Sequence, residues 1–180
     1  MHNGGNTQAI VQAIDEWLMT LPPAAFRKRA LEIPPDDEYG FATLVAIEPV
    51  RPDACPIEIG VTVPDAGSTV GMFLDTWGGL ARRLPCEVSP GKATRVSLFV
   101  EPSPLSIEQV RDACSAVVAG SIHLDAGLVR QKLVSTSGWL DTRAGRFTMH
   151  GVDDYLLPFL RTMTRVGITE VRTVRYAPWV

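Results

Sequence analysis

Only three of the 180 residues are cysteine (Cys55, Cys86 and Cys114), and only three are histidine (His2, His123 and His150). An odd cysteine count without a CxxC spacing excludes a disulfide scaffold and points to a reducing compartment. Histidines this far apart give no ligand spacing for a metal centre, so no metal is expected. Long apolar runs are missing as well. No stretch approaches the roughly 18 uncharged apolar residues of a membrane span, so no membrane partner is expected. The N-terminal MHNGGNTQAIVQAIDEW lacks the basic start and apolar core of a signal peptide. Glycine-rich phosphate loops are absent in both the GxGxxG and the GxxxxGK forms, so no nucleotide cofactor is expected. Without GxSxG there is no hydrolase elbow either. These absences describe a cytoplasmic protein that works without a cofactor.

What is present is an ordinary globular composition, 46% apolar and 21% charged. A chain of this length buries about two-thirds of its unfolded surface and needs no staple. We expect one domain over residues 1–180, with residues 1–5 mobile and 177–180 a tail. Charge is unevenly spread. Residues 1–127 carry 9 Lys/Arg against 16 Asp/Glu, and residues 128–180 carry 8 against 4. Such halves attract each other within one fold, or leave a basic face for an acidic partner.

The stretch Tyr39–Trp77 holds three apolar β-type runs. In Pro56–Val63 the residues Ile57, Ile59, Val61 and Val63 alternate with Glu58, Gly60 and Thr62, which places the branched side chains on one buried face. Phe41–Ile47 and Thr69–Leu74 are apolar at nearly every position, as strands in a covered sheet are. The turn Pro64-Asp65-Ala66-Gly67 predicts an antiparallel hairpin. Lys92–Glu101 reads as a fourth strand. Helices are predicted from Asn6 or Thr7 to about Leu21, with Ile10, Val11, Ile14, Trp17 and Leu18 on one stripe, and from a Ser106/Gln109 capping box to Gly120. A short helical turn over Pro23–Leu31 would expose Arg27, Lys28 and Arg29. Residues 121–133 fit either helix or strand. A strand follows from about Val129 to Leu140, interrupted near Gly138; Thr142–Gly145 turns into Arg146–Met149. A helix capped by Asp153 or Asp154 runs to Gly167, and Glu170–Tyr176 is the last strand. The order predicts an α+β fold, a mostly antiparallel sheet of about six or seven strands with two or three helices in a single layer on one face.

Candidate chemistry is sparse. His150 beside Asp153 and Asp154 has the composition of an acid–base group, although residues so placed commonly cap a helix. His123 lies two residues from Asp125 in what reads as a loop. Glu58 and Asp75 would approach across a hairpin, and Cys114 falls on a core stripe. The aromatics are more informative. Trp77, Trp139 and Trp179 fall at or beyond the ends of predicted elements, with Arg143 and Arg146 flanking Trp139. Exposed aromatics beside arginines anchor protein interfaces. The expected function is therefore an accessory protein without catalytic activity, of inhibitor or immunity type, that binds another protein or itself through Trp77, Trp139, Arg143, Arg146 and Trp179. The alternative is a small hydrolase built on His150 with Asp153 or Asp154. Nucleic-acid binding through the arginines of residues 130–175 is not favoured, because they are scattered rather than clustered.

Overall fold

The structure, a computed structural model, describes residues 4–32, 41–62, 70–76, 80, 83–84, 95–99, 106–152 and 170–180. It is α+β, with an antiparallel sheet and two described helices. Helix α1 spans Gly4–Leu18 and α2 spans Ile107–Val118. The strands are β1 (Phe26–Glu32), β2 (Phe41–Pro49), β3 (Ile57–Thr62), β4 (Val70–Thr76), β5 (Arg95–Phe99), β6 (Ile122–Val129), β7 (Lys132–Thr142), β8 (Gly145–Val152) and β9 (Glu170–Val174). They pair in the order β1-β2-β3-β4-β5-β8-β7-β6-β9, antiparallel throughout. Two meanders, β1–β5 and β6–β8, thus meet where β5 pairs β8, and β9 adds the far edge.

Alternation sorts the side chains between two faces. Cross-strand partners share a face, so Val45–Ile59–Met72 and Ile47–Ile57–Leu74 form rows on the inner one. All of these are buried, together with Leu124, Ala126, Leu128 and Leu140 of the other half and the apolar stripes of both helices. α1 contributes Ile10, Ile14, Trp17 and Leu18, and α2 contributes Val110, Ala113, Cys114 and Val117. The helices are joined side by side, Trp17 Nε1 donating to Ser115 Oγ at 3.1 Å. On β2 the opposite positions Leu44 and Ala46 are buried too, as its unbroken apolar run requires.

The helix ends follow the expected chemistry with shifted limits. The capping box is made at α2: Gln109 N donates to Ser106 Oγ and Ser106 N donates to Gln109 Oε1. α1 begins at Gly4, upstream of Asn6 and Thr7, and ends at Leu18 with tightened turns that carry the chain to Leu21.

The mostly antiparallel sheet stands as expected, with two further strands among the described residues. Three local expectations are corrected, and the one left open at residues 121–133 is settled. Pro23–Ala25 is only a short 3-10 turn, and Phe26–Glu32 is edge strand β1 rather than helix. Arg27, Lys28, Arg29 and Ala30 are all exposed there, so no periodicity marks the strand. Three consecutive cations on an edge also discourage a second sheet from pairing with it. Residues 122–129 form β6, and Gly138 lies within β7 instead of interrupting it. A Cβ at Gly138 would come within 2.0 Å of the His123 carbonyl oxygen, so the close approach of β6 demands glycine. Residues 177–180 are not a loose tail. Ala177 N donates to Asp53 O at 3.0 Å, Trp179 N to Val118 O at 2.9 Å, and Trp179 Nε1 to Cys55 O at 3.0 Å. Arg83 lies 4.8 Å over the Tyr176 ring and donates to Ala54 O at 2.7 Å, clamping the same segment. The helix expected from Asp153 or Asp154 to Gly167 falls outside the described residues.

The C-terminal segment also reports the curvature of the sheet. Nine strands laid flat would separate the outer two by roughly 38 Å at 4.8 Å per strand. Yet Trp179, five residues past β9, stacks at a tilt 6.5 Å from Phe26 at the start of β1. The sheet therefore twists and curls around the two described helices until its far ends approach.

The β6–β7 connection is strained. Val129 pairs Lys132, leaving a two-residue turn in which Arg130 and Gln131 both take positive φ, 48° and 67°. Such turns favour Asn-Gly. Replacing the pair by Arg130→Asn and Gln131→Gly is expected to add about 1 kcal/mol and raise Tm by roughly 2–4 °C, read by thermal unfolding followed by circular dichroism.

Candidate binding site

The outer face of β6, β7 and β8 carries the only cluster of aromatic and charged side chains in mutual contact among the described residues. Its layout follows from register. On β6 the inward run Ile122, Leu124, Ala126 leaves His123 and Asp125 pointing outward. His123 pairs Trp139 on β7, Trp139 pairs Thr148 on β8, and Asp141 pairs Arg146. The tight turn after Thr142 sets that last pairing: Thr142 Oγ1 donates to Gly145 O at 2.8 Å, and Gly145 sits at φ 132°, open to glycine alone.

Four side chains then interlock. The His123 ring stacks on the Trp139 indole with centroids 4.9 Å apart and planes 15° off parallel. The Arg146 guanidinium lies over the same indole at 4.9 Å, a cation–π contact arriving from the other neighbouring strand. Arg146 also forks onto Asp141, Nε to Oδ1 at 2.7 Å and Nη2 to Oδ2 at 3.3 Å. His123 Nε2 stands 4.0 Å from the Asp141 carboxylate. Arg146 first, then His123 and the indole of Trp139, hold the Asp141 carboxyl below its ordinary value of 3.8. The indole Nε1 itself is buried. A depressed carboxylate pKa means the Asp141–Arg146 contact is intact at neutral pH and loosens only as pH falls through the acid range below 3.8.

The ring faces of Trp139 are thus covered, while the polar ends of His123, Asp141 and Arg146 face solvent. His123, Asp141 and Arg146 remain 55%, 46% and 59% exposed. Around them Ser137, Thr148 and Arg143 are exposed, and Arg175 is exposed one residue past the point where Val174 pairs Leu124, in line with His123. The pattern is a pre-set aromatic anchor within a rim of hydrogen-bond donors.

Of the expected site residues, Trp139 and Arg146 share this face, and Arg143 is exposed in the turn that joins their strands. Trp179 does not: it is 2% exposed and serves as a core plug. Trp77, Asp153 and Asp154 fall outside the described residues. His150 lies on β8, its backbone in register with Ser97 and Ser137. Glu58 is half-buried on β3, which pairs β4 as the hairpin reading required. His123, read as a loop residue paired with Asp125, is a strand residue facing Asp141; Asp125 accepts from Thr173 Oγ1 at 2.7 Å instead. The period-two run Ile122, Leu124, Ala126, Leu128 was the signal that could have placed it. Cys55 and Cys114 are buried and form no disulfide, and burial pushes the Cys114 thiol up, away from reactivity. Among the described residues no three metal-ligating side chains converge, and no helix is long and apolar enough to cross a membrane.

Comparison with known protein families, with characterised proteins and with solved structures gives no match.

Proposed function

We propose that this protein acts by binding another protein, as an accessory or inhibitor-type factor of the immunity kind, through the outer face of β6–β8. The observation that carries this is the Trp139 indole fixed between His123 and Arg146 on an exposed sheet face. A binding surface gains affinity when its aromatic anchor is already ordered, because little side-chain entropy is lost on association. Arg143, Arg146, Arg175 and His123 supply donors around that anchor, so the partner surface that fits is acidic at its rim. Arg146 and Arg172 are each engaged by a neighbouring acid, Asp141 and Glu170. That interleaving breaks up a continuous cationic track and favours a protein over a nucleic acid. The two buried, unbridged cysteines fit a cytoplasmic setting.

The test is affinity capture with the wild-type chain and with Trp139→Ala, followed by titration of the recovered partner. Trp139→Ala is expected to weaken binding by about 2 kcal/mol, roughly 30-fold. It should also cost about 1–2 kcal/mol of folding stability through its lost ring contacts, so binding is compared under conditions where both forms are folded. Equal retention by both forms would remove this face from the reading. The hydrolase alternative on His150, Asp153 and Asp154 gains no support from the described residues.

A further inference from the structure

Strand β9 forms one edge of the sheet, and among the described residues no strand pairs its outer side. It differs from the opposite edge. Where β1 presents Arg27, Lys28 and Arg29 in succession, β9 reads Glu170-Val171-Arg172-Thr173-Val174, three β-branched residues spaced by one acid and one base. Val174 faces the core, whereas Val171 is 64% exposed, the most exposed large hydrophobic side chain on any described strand. Thr173 bonds Asp125 on the outer face, so Val171, two residues away, shares that face, and Glu170 and Arg172 share the other. Val171 pairs Gly127, which puts it toward the Arg130–Gln131 turn and away from the end held by Trp179.

We infer that β9 pairs with β9 of a second copy of this chain, antiparallel and centred on Val171. This register is self-complementary. Val171 meets Val171 of the second copy on the outer face, covering both exposed side chains. Glu170 meets Arg172 of the second copy, and Arg172 meets its Glu170, on the inner face. Shifting the centre to Arg172 would oppose two guanidinium groups, which is unfavourable for directly facing positions. The β1 edge offers no such solution, since its run of cations repels a copy of itself. A two-fold axis normal to the sheet keeps the faces in common. The outer faces of both copies then form one surface, with the two Trp139 anchors about five strand spacings, roughly 24 Å, apart across the strands and about eight residues, roughly 26 Å, apart along them.

The interface is one short strand deep, so association is weak and concentration-dependent. Sedimentation equilibrium from about 1 µM to about 1 mM is expected to show the mass rising from one chain toward two. Val171→Lys places two ammonium groups at the two-fold centre and should weaken association at least about tenfold. Glu170→Arg and Arg172→Glu each create like-charge pairs and should do the same. The double variant Glu170→Arg/Arg172→Glu restores complementary pairs and should return to within about threefold of wild type. Circular dichroism of each variant controls for folding. A wild-type chain that stays monomeric to the highest concentration overturns the inference, as does a Val171→Lys variant that dimerises normally or a charge-swapped pair no better than its singles. Because the argument rests on the edge and not on the Trp139 face, a monomer that still captures its partner would defeat this inference and leave the proposed function standing.

Discussion

Replacing Trp179 by alanine is expected to cost about 4 kcal/mol of folding stability, the largest loss of any single truncation considered. The side chain is 2% exposed and touches parts of the chain distant in sequence. Its ring faces Phe26 of β1, its backbone N–H donates to Val118 O at the end of α2, and its indole N–H donates to Cys55 O. Alanine opens a cavity among these and leaves the Cys55 carbonyl buried without its donor. Trp179→Phe separates the two losses: it keeps the ring and forfeits the indole hydrogen bond, for an expected cost of about 1–2 kcal/mol. Urea unfolding of both variants measures the difference. If Trp179→Ala lost less than about 1 kcal/mol, the segment could not be the plug described above.

Gly138→Ala is the second large effect. The added methyl would meet His123 O at 2.0 Å and the Leu124 Cα at 2.9 Å, both main-chain atoms that no rotamer change can move aside. β6 and β7 must separate locally, at an expected cost of about 3 kcal/mol. The functional consequence is specific, because the displaced residue His123 is the one stacked on Trp139. Gly138→Ala should therefore weaken partner binding as well as stability. Arg143→Ala, exposed in the neighbouring turn, serves as the comparison for stability and should leave it unchanged. Paired unfolding and binding measurements on the two variants show whether the stack depends on this close approach.

The first half of the fold was legible because period-two alternation in Ile57–Val61 and apolar continuity in Phe41–Ile47 are local signals of burial. β1 was not, since an exposed edge strand of arginine and lysine has no buried face to impose a period. β6 hid for a different reason: Ile122, Ala126, Val129 and Leu133 also fit a helical spacing, so its period-two run had a competitor. The site was half visible. Trp139 and Arg146 stood out as an aromatic with a nearby cation. His123 and Asp141 joined them only through cross-strand register, which depends on turn geometry and not on neighbours in sequence. Trp179 misled because its burial is decided by a carbonyl 124 residues away.

That separation has a consequence for how the chain reaches its native state. Loop closure over so long a span is entropically slow, and sheets dominated by distant pairings fold on the millisecond-to-second scale. During synthesis, β1–β5 and α1 leave the ribosome well before Trp179 can close over Cys55 and Val118. A partly made chain therefore carries an open apolar cleft at the end of α2, which closes only once Trp179 has been made and has reached Val118 and Cys55.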